Sequence, residues 1–172
     1  MADIDEPILG TQSTEGGAIP SAGPPIQEKI RRLVTDEPYS VLCTQGHDQP
    51  YGSVVAFSFE PSLRYAVFST AITTRKYRLL TACDRVALVV DSRSRHPGDL
   101  MRVEAVTVTG RAAEVRDMPE RKDMAQLLLS RHPYLKGFVE APSCALFRVD
   151  VFRFLHVMRF QEVHEWIPPE PG

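Results

Sequence analysis

The sequence predicts a mainly β protein in which about six antiparallel strands close, or nearly close, into a barrel carrying a few helices on its outside. Two observations predict it. Short runs rich in β-branched and aromatic residues recur from residue 40 onward, separated by brief turns holding Pro, Gly, Asp and Ser. Helical periodicity, by contrast, is confined to a few short segments. At 172 residues the chain is long enough to bury a substantial core as one domain, here placed at 25–167.

Residues 1–24 are rich in Gly, Ser, Thr, Pro and acids without a sustained apolar period, so a flexible arm is expected there. A helix should start near Pro25, because proline suits a first helical turn. Ile26, Ile30, Leu33 and Val34 then make its apolar face, and Asp36-Glu37-Pro38 ends it. Ser40–Thr44 reads as a strand, Gln45–Pro50 as a turn, and Tyr51–Phe59 as an alternating strand. After a turn at Glu60–Leu63, Arg64–Ser69 completes a meander. Arg75–Ala82 is expected to be a short helix and Arg85–Asp91 a buried strand. Ser92–Leu100 is a polar loop, and Val103–Val115 a long strand bent at Gly110. Asp117-Met-Pro-Glu120 opens a helix through Leu129, and His132–Val139 is a candidate for another short one. Ala145–Phe160 is the last long β segment, followed by an end segment, with 168–172 as a tail.

Composition excludes several classes. A net charge of −2 offers no electrostatic case for nucleic acid as a partner. No apolar run approaches the ~20 residues needed to span a bilayer, so no membrane partner is expected. The acidic start Met-Ala-Asp-Ile-Asp-Glu lacks the pattern of a secretory signal, which makes the cytoplasm the expected compartment. Cys43, Cys83 and Cys144 lie far apart without metal-ligand spacing, so three free thiols and no metal site are expected.

The chemistry concentrates in one stretch. Ala66, Val67 and Phe68 lead into the hydroxyls of Ser69, Thr70, Thr73 and Thr74, then into Arg75 and Lys76, and then into a helix. A strand that delivers hydroxyls and two cations to a helix start suits a phosphate dianion. The free N–H groups and positive end of the helix add to the cations there. The same residues also fit a polar loop with a threonine N-cap and a solvated basic pair, with Asp84 as a surface partner.

Taken in order, several segments resemble the pyridoxamine 5′-phosphate oxidase-like, FMN-binding split-barrel superfamily. They are Gln49-Pro-Tyr-Gly-Ser-Val-Val-Ala-Phe57, Phe68-Ser-Thr-Ala-Ile-Thr-Thr-Arg-Lys76 with Leu79-Leu80, Asp84–Val90 and Val106–Ala112. The resemblance runs from about Glu28 to Val115 and more loosely to Phe160. It implies a six-stranded antiparallel split barrel and a homodimer with FMN at the subunit interface. Ser53, Val54 and Val55 would run beside the isoalloxazine ring, Ser69 and Thr70 would meet the ribityl phosphate, and Thr74, Arg75 and Lys76 would close around it. Trp166, in the end segment Gln161–Trp166, is a candidate to stack on a flavin face, or else an anchor for the tail. The substrate-binding motif of true pyridoxamine phosphate oxidases near the C-terminus is not evident.

The resemblance implies an FMN-dependent oxidoreductase that passes electrons from a small donor to a small acceptor. A non-catalytic flavin carrier or sensor, or a split barrel holding F420 or haem, are the alternatives. No catalytic acid or base stands out. His47 and His96 read as solvated, His132 as a capping residue, and His156 and His164 as members of the C-terminal β region.

Overall fold

A computed structural model describes residues 25–46, 48–159 and 162–169. The N-terminal arm expected at 1–24, the turn residue His47 and the last three residues of the tail lie outside them. Seven strands are described: β1 (Tyr39–Gly46), β2 (Gln49–Phe59), β3 (Tyr65–Ala71), β4 (Arg85–Asp91), β5 (Ala105–Glu114), β6 (Cys144–Met158) and β7 (Glu162–Trp166). The helices are α1 (Ile26–Asp36), α2 (Arg75–Ala82), α3 (Met118–Arg131) and α4 (Lys136–Val139).

Six strands in the order β3-β2-β1-β4-β5-β6 form an antiparallel barrel that closes through pairing of β3 with β6. The length of β6 decides the shape. Its first half, Cys144 to Asp150, pairs with β3, whereas Phe154 to Met158 pair with β7. One strand therefore serves both the closed barrel and a terminal hairpin. The long β segment expected to run to Phe160 is β6, and the end segment beyond it forms a seventh strand, Glu162–Trp166. Its partner is supplied by the overhang of β6, which local patterning does not reveal.

Alternation sets the two faces. Leu42, Phe57, Phe68, Leu88, Phe147 and Phe154 point inward and are fully or almost fully buried, and the rings of Phe68 and Phe147 stack at 5.5 Å. Burying each such side chain contributes roughly 1.5–3 kcal/mol. Helix α1 packs Ile30, Leu33 and Val34 into this core. The terminal carbonyls of α1 would otherwise lack partners. Arg131, at the end of α3, donates to Val34 O at 2.7 Å and Thr35 O at 2.9 Å. Outside the barrel, Met124 and Leu128 of α3 bury Val67 and Leu146.

Gly110 sits at the expected irregularity. The β5–β6 register slips between Thr109 and Gly110, and a Cβ there would stand 2.3 Å from Asp150 O. The turn after β1 is shorter than expected, because pairing runs out to Gly46 and Gln49. The polar loop after β4 contains two 3-10 turns, Arg93–Arg95 and Leu100–Arg102. The segment from His132 divides into a 3-10 turn, Pro133–Leu135, and α4.

Candidate functional site

Strands β2 and β3 pair only through Phe57–Phe59 and Ala66–Phe68. Beyond that point β3 follows β6 and β2 follows β1, so the two splay apart. The splay opens the edge of β2 at Ser53–Val55, and α2 lies across it. Thr74, expected as a possible cap, is the N-cap: its Oγ1 accepts from Tyr77 N at 3.2 Å. The same hydroxyl donates to Ala71 O at 2.8 Å, so Thr70, 3.0 Å away, is the donor in their contact. Thr74 is thus fully engaged, and its role is to start the helix. Arg78 N reaches Thr74 O, which leaves the amides of Arg75 and Lys76 without partners among the described residues.

Helix α2 is held in place by Tyr77. Its ring packs edge-on to Phe147 at 6.0 Å, and its hydroxyl meets Glu114 at 3.3 Å. Leu80 is buried in the same core. These anchors fix the directions of the neighbouring cations. Lys76 Nζ donates to Val54 O at 3.2 Å, tying α2 to the open edge of β2. Burial pushes the Lys76 ammonium below the ordinary lysine value. Because a strand residue directs its N–H and C=O to the same side, Val54 N–H also faces the open edge. Ser53 Oγ, on the face that Val55 shares with the core, is buried and has no hydrogen-bond partner among the described residues.

Arg75 turns the other way, with its guanidinium 5.0 Å above the Tyr51 ring. It borders a cleft of about 720 Å³ between α2 and the β1–β2 hairpin, which Arg78, Leu79, Gln45, Gln49 and Cys83 also line. Helical spacing explains the set, since 75, 78, 79 and 82 share one face. Asp84 pairs with Arg111 at 3.5 Å rather than with the basic pair. Neither Arg75 nor Arg78 has a carboxylate partner among the described residues.

The structure thus brings together Ser53, Val54, Val55, Thr70, Thr74, Arg75 and Lys76. The side chain of Val55 is buried in the core, and that of Val54 is 66% exposed on the outer face. Ser69 lies apart: alternation directs it to the face opposite Thr70, beside the Cys144 thiol. Trp166 is also remote within the chain. It pairs with Phe154 and packs on its ring at 5.3 Å. Thr70 pairs with Ala145, nine residues back along β6, on the order of 30 Å of strand. The sequence reading overlooked Tyr51, Tyr77 and Arg78, although the helical spacing of Arg75 and Arg78 was available as a signal.

The remaining titratable groups are engaged elsewhere. His132 is buried; its Nε2–H donates to Phe57 O at 2.9 Å, so Nδ1 accepts from the Tyr134 hydroxyl at 3.3 Å. His156 is fully buried, 3.5 Å from Glu104, with no hydrogen bond at either ring nitrogen among the described residues. His164 meets Glu162 at 3.0 Å. Cys43, Cys83 and Cys144 are free thiols, as expected. Among the described residues no cluster of three metal-ligating side chains occurs, and no helix is long and apolar enough to cross a membrane.

The closed six-stranded barrel with its splayed strand pair defines the chain as a split-barrel protein. Residues 26–158 match the family model described as pyridoxamine 5′-phosphate oxidase, and the chain belongs to that family. No curated protein sequence matches it. Among solved structures it is similar to a heme binding protein from Mycobacterium smegmatis: 16% identity, TM-score 0.76, covering 86% of this chain and 60% of that one. A FAD-binding protein from Mesorhizobium loti shows 19% identity and a TM-score of 0.62, over 76% of this chain and 90% of that one. General Stress Protein 26 from Bacillus anthracis shows 16% identity and a TM-score of 0.61, over 82% and 97%. At these identities the likeness is one of fold.

Proposed function

We propose that the chain is an FMN-binding oxidoreductase with its phosphate seat at the start of α2. The observation that carries the reading is the start of α2 itself, where two helix amides lack bonds and two cations flank them, Lys76 reaching to Val54 on one side and Arg75 lying over Tyr51 on the other. A phosphate dianion placed there would meet both amides and stand between the two cations. The buried Ser53 hydroxyl without a partner and the open edge at Val54 fit a polar ring edge arriving between β2 and β3. FMN supplies electron and hydride transfer when bound. The protein's part is to orient it: Val54 N–H and Ser53 Oγ offer hydrogen bonds, and Lys76 places a positive charge at the edge of the gap.

The proposal includes a homodimer with the cofactor at the subunit interface. Its support is a row of outward residues in cross-strand register, Val54–Val41–Val89–Thr107–Leu155, running over five strands. No charge interrupts it, and such a surface suits burial against a second copy. The row begins at Val54, so the flavin seat would abut the interface. Ser69 and Trp166, which stand away from the seat within one chain, remain proposed ligands through a backbone group and through the partner copy, respectively.

A haem-binding reading draws on likeness of fold, such as that to the mycobacterial protein. Absorption spectra of the freshly purified protein separate the readings, since FMN, F420 and haem absorb at well-spaced wavelengths. A flavin spectrum, with turnover of a nicotinamide donor and a small acceptor, is expected. Colourless protein that binds no added FMN would remove the proposal, and tight FMN without turnover would assign a carrier or sensor.

A further inference from the structure

His156 lies in the overhang of β6, opposite Val106 of β5 on one side and His164 of β7 on the other. Its side chain is fully buried, and neither ring nitrogen has a hydrogen bond among the described residues. A neutral imidazole carries one N–H donor and one acceptor nitrogen, so both go unmet. Its neighbours Val106 and Phe154 are buried and apolar. The fold thus keeps a titratable ring at a position that an apolar side chain would fill without that loss.

The groups that face the ring come from three directions. Glu104, just before β5, stands 3.5 Å from Nε2, but its other carboxylate oxygen is 3.5 Å from Arg32 of α1. Across the ladder the His164 ring centre is 6.4 Å away, and its Nε2 is 3.0 Å from Glu162. Lys29 of α1 reaches Met158 Sδ at 3.9 Å, over the same hairpin. An imidazolium here would be a desolvated charge with a shared counter-ion, facing a cation and a second histidine. Burial holds the ring below the ordinary histidine value; Glu104 opposes that effect, and His164 and Lys29 add to it.

Strand β7 is the element able to yield. Its five residues pair with β6 alone among the described residues, whereas each of the six barrel strands has a neighbour on both sides. Such an edge opens at lower cost than the closed barrel. We infer that His156 is a proton-operated latch: neutral, it lies sealed beneath β7 and α1, and protonated, it reaches water by detachment of β7 from the intact barrel. Trp166 leaves the Phe154 ring with the strand. The latch stands on the hairpin and α1, and it holds whether or not the chain takes a flavin.

Trp166 is the only tryptophan in the sequence, so its fluorescence reports the position of β7. The test lowers the pH of full-length protein through the histidine range and below, following Trp166 emission and far-UV circular dichroism together. Wild type should show a reversible red shift before the sheet signal is lost. Its open fraction should rise by up to about tenfold per pH unit, the limit for one proton. His156→Leu should abolish the step. Lys29→Met, which removes a facing cation, should move it to lower pH, and His164→Gln should retain it. Hydrogen exchange on wild type reads the same event without a variant: β7 amides should lose protection on acidification while those of β3 keep it. Emission that shifts only together with loss of the sheet would overturn the latch. So would a step that survives in His156→Leu, one that vanishes in His164→Gln, or β7 amides that stay as protected as those of β3.

Discussion

The ammonium of Lys76 donates to the carbonyl oxygen of Val54 at 3.2 Å, across the gap where β2 and β3 part. The contact ties the start of a helix to an open strand edge and places a desolvated cation where a phosphate is proposed. Lys76→Ala should weaken FMN binding by about 1.5–3 kcal/mol, the range for hydrogen bonds to charged groups. The double change with Arg75→Ala should weaken it further. Fluorescence titration measures both, and unchanged affinity in the double variant removes these cations from the site.

Binding should depend on pH through the same ammonium. Burial holds its pKa below the ordinary lysine value of 10.5 in the free protein. A bound phosphate favours the charged form and raises that pKa. Affinity is therefore full below the lowered value and is lost as pH rises through it. Lys76→Arg should flatten the alkaline decline, because guanidinium stays charged. A decline of the same midpoint in the arginine variant would exclude Lys76 as its source.

Two buried histidines should behave differently on substitution. Both are shifted below 6.5, chiefly by burial; at His156 Glu104 opposes the shift and His164 and Lys29 add to it. Folded-state values that are depressed mean stability present above the unfolded value and lost as pH falls through the folded one. His156 has no hydrogen bond to lose, so His156→Leu should keep neutral stability and move acid unfolding to lower pH. His132→Ala should cost about 1–3 kcal/mol at neutral pH, since it removes the buried bond to Phe57 O and leaves that carbonyl only the longer contact from Arg131 at 3.4 Å. Denaturant titrations at several pH values decide both.

Gly110→Ala tests the bulge. The added methyl meets the Asp150 carbonyl and a Val149 methyl, and backbone in a paired strand yields little. A loss of about 1–3 kcal/mol or more is expected. Gly46→Ala, which meets only the mobile end of Leu79, should cost less. Equal losses in thermal melts would contradict this reading of the register slip.

Val89 lies at the centre of the uncharged cross-strand row, between Val41 and Thr107. Val89→Glu should leave a folded monomer and lower flavin affinity if that row is the subunit interface. Sedimentation reads the first effect and titration the second. Wild-type protein that sediments as a monomer at micromolar concentration would contradict the dimer.

Much of this molecule was legible without coordinates, because the signals are local. The cap at Thr74, the bounds of α2 and β4, the helix α1 between Pro25 and Glu37 and the slip at Gly110 each depend on a few neighbouring residues. The faces of Ser69 and Thr70 were legible too, from strand alternation, although the reading grouped them. What only the tertiary structure decided is pairing at long range. The splay of β2 from β3, the overhang of β6 that makes β7 a strand, the reach of Lys76 to Val54 and the cleft beside Arg78 all arise when segments far apart in the chain compete for hydrogen-bonding edges and core volume. Periodicity says that an edge exists; which strand takes it depends on the registers of all the others.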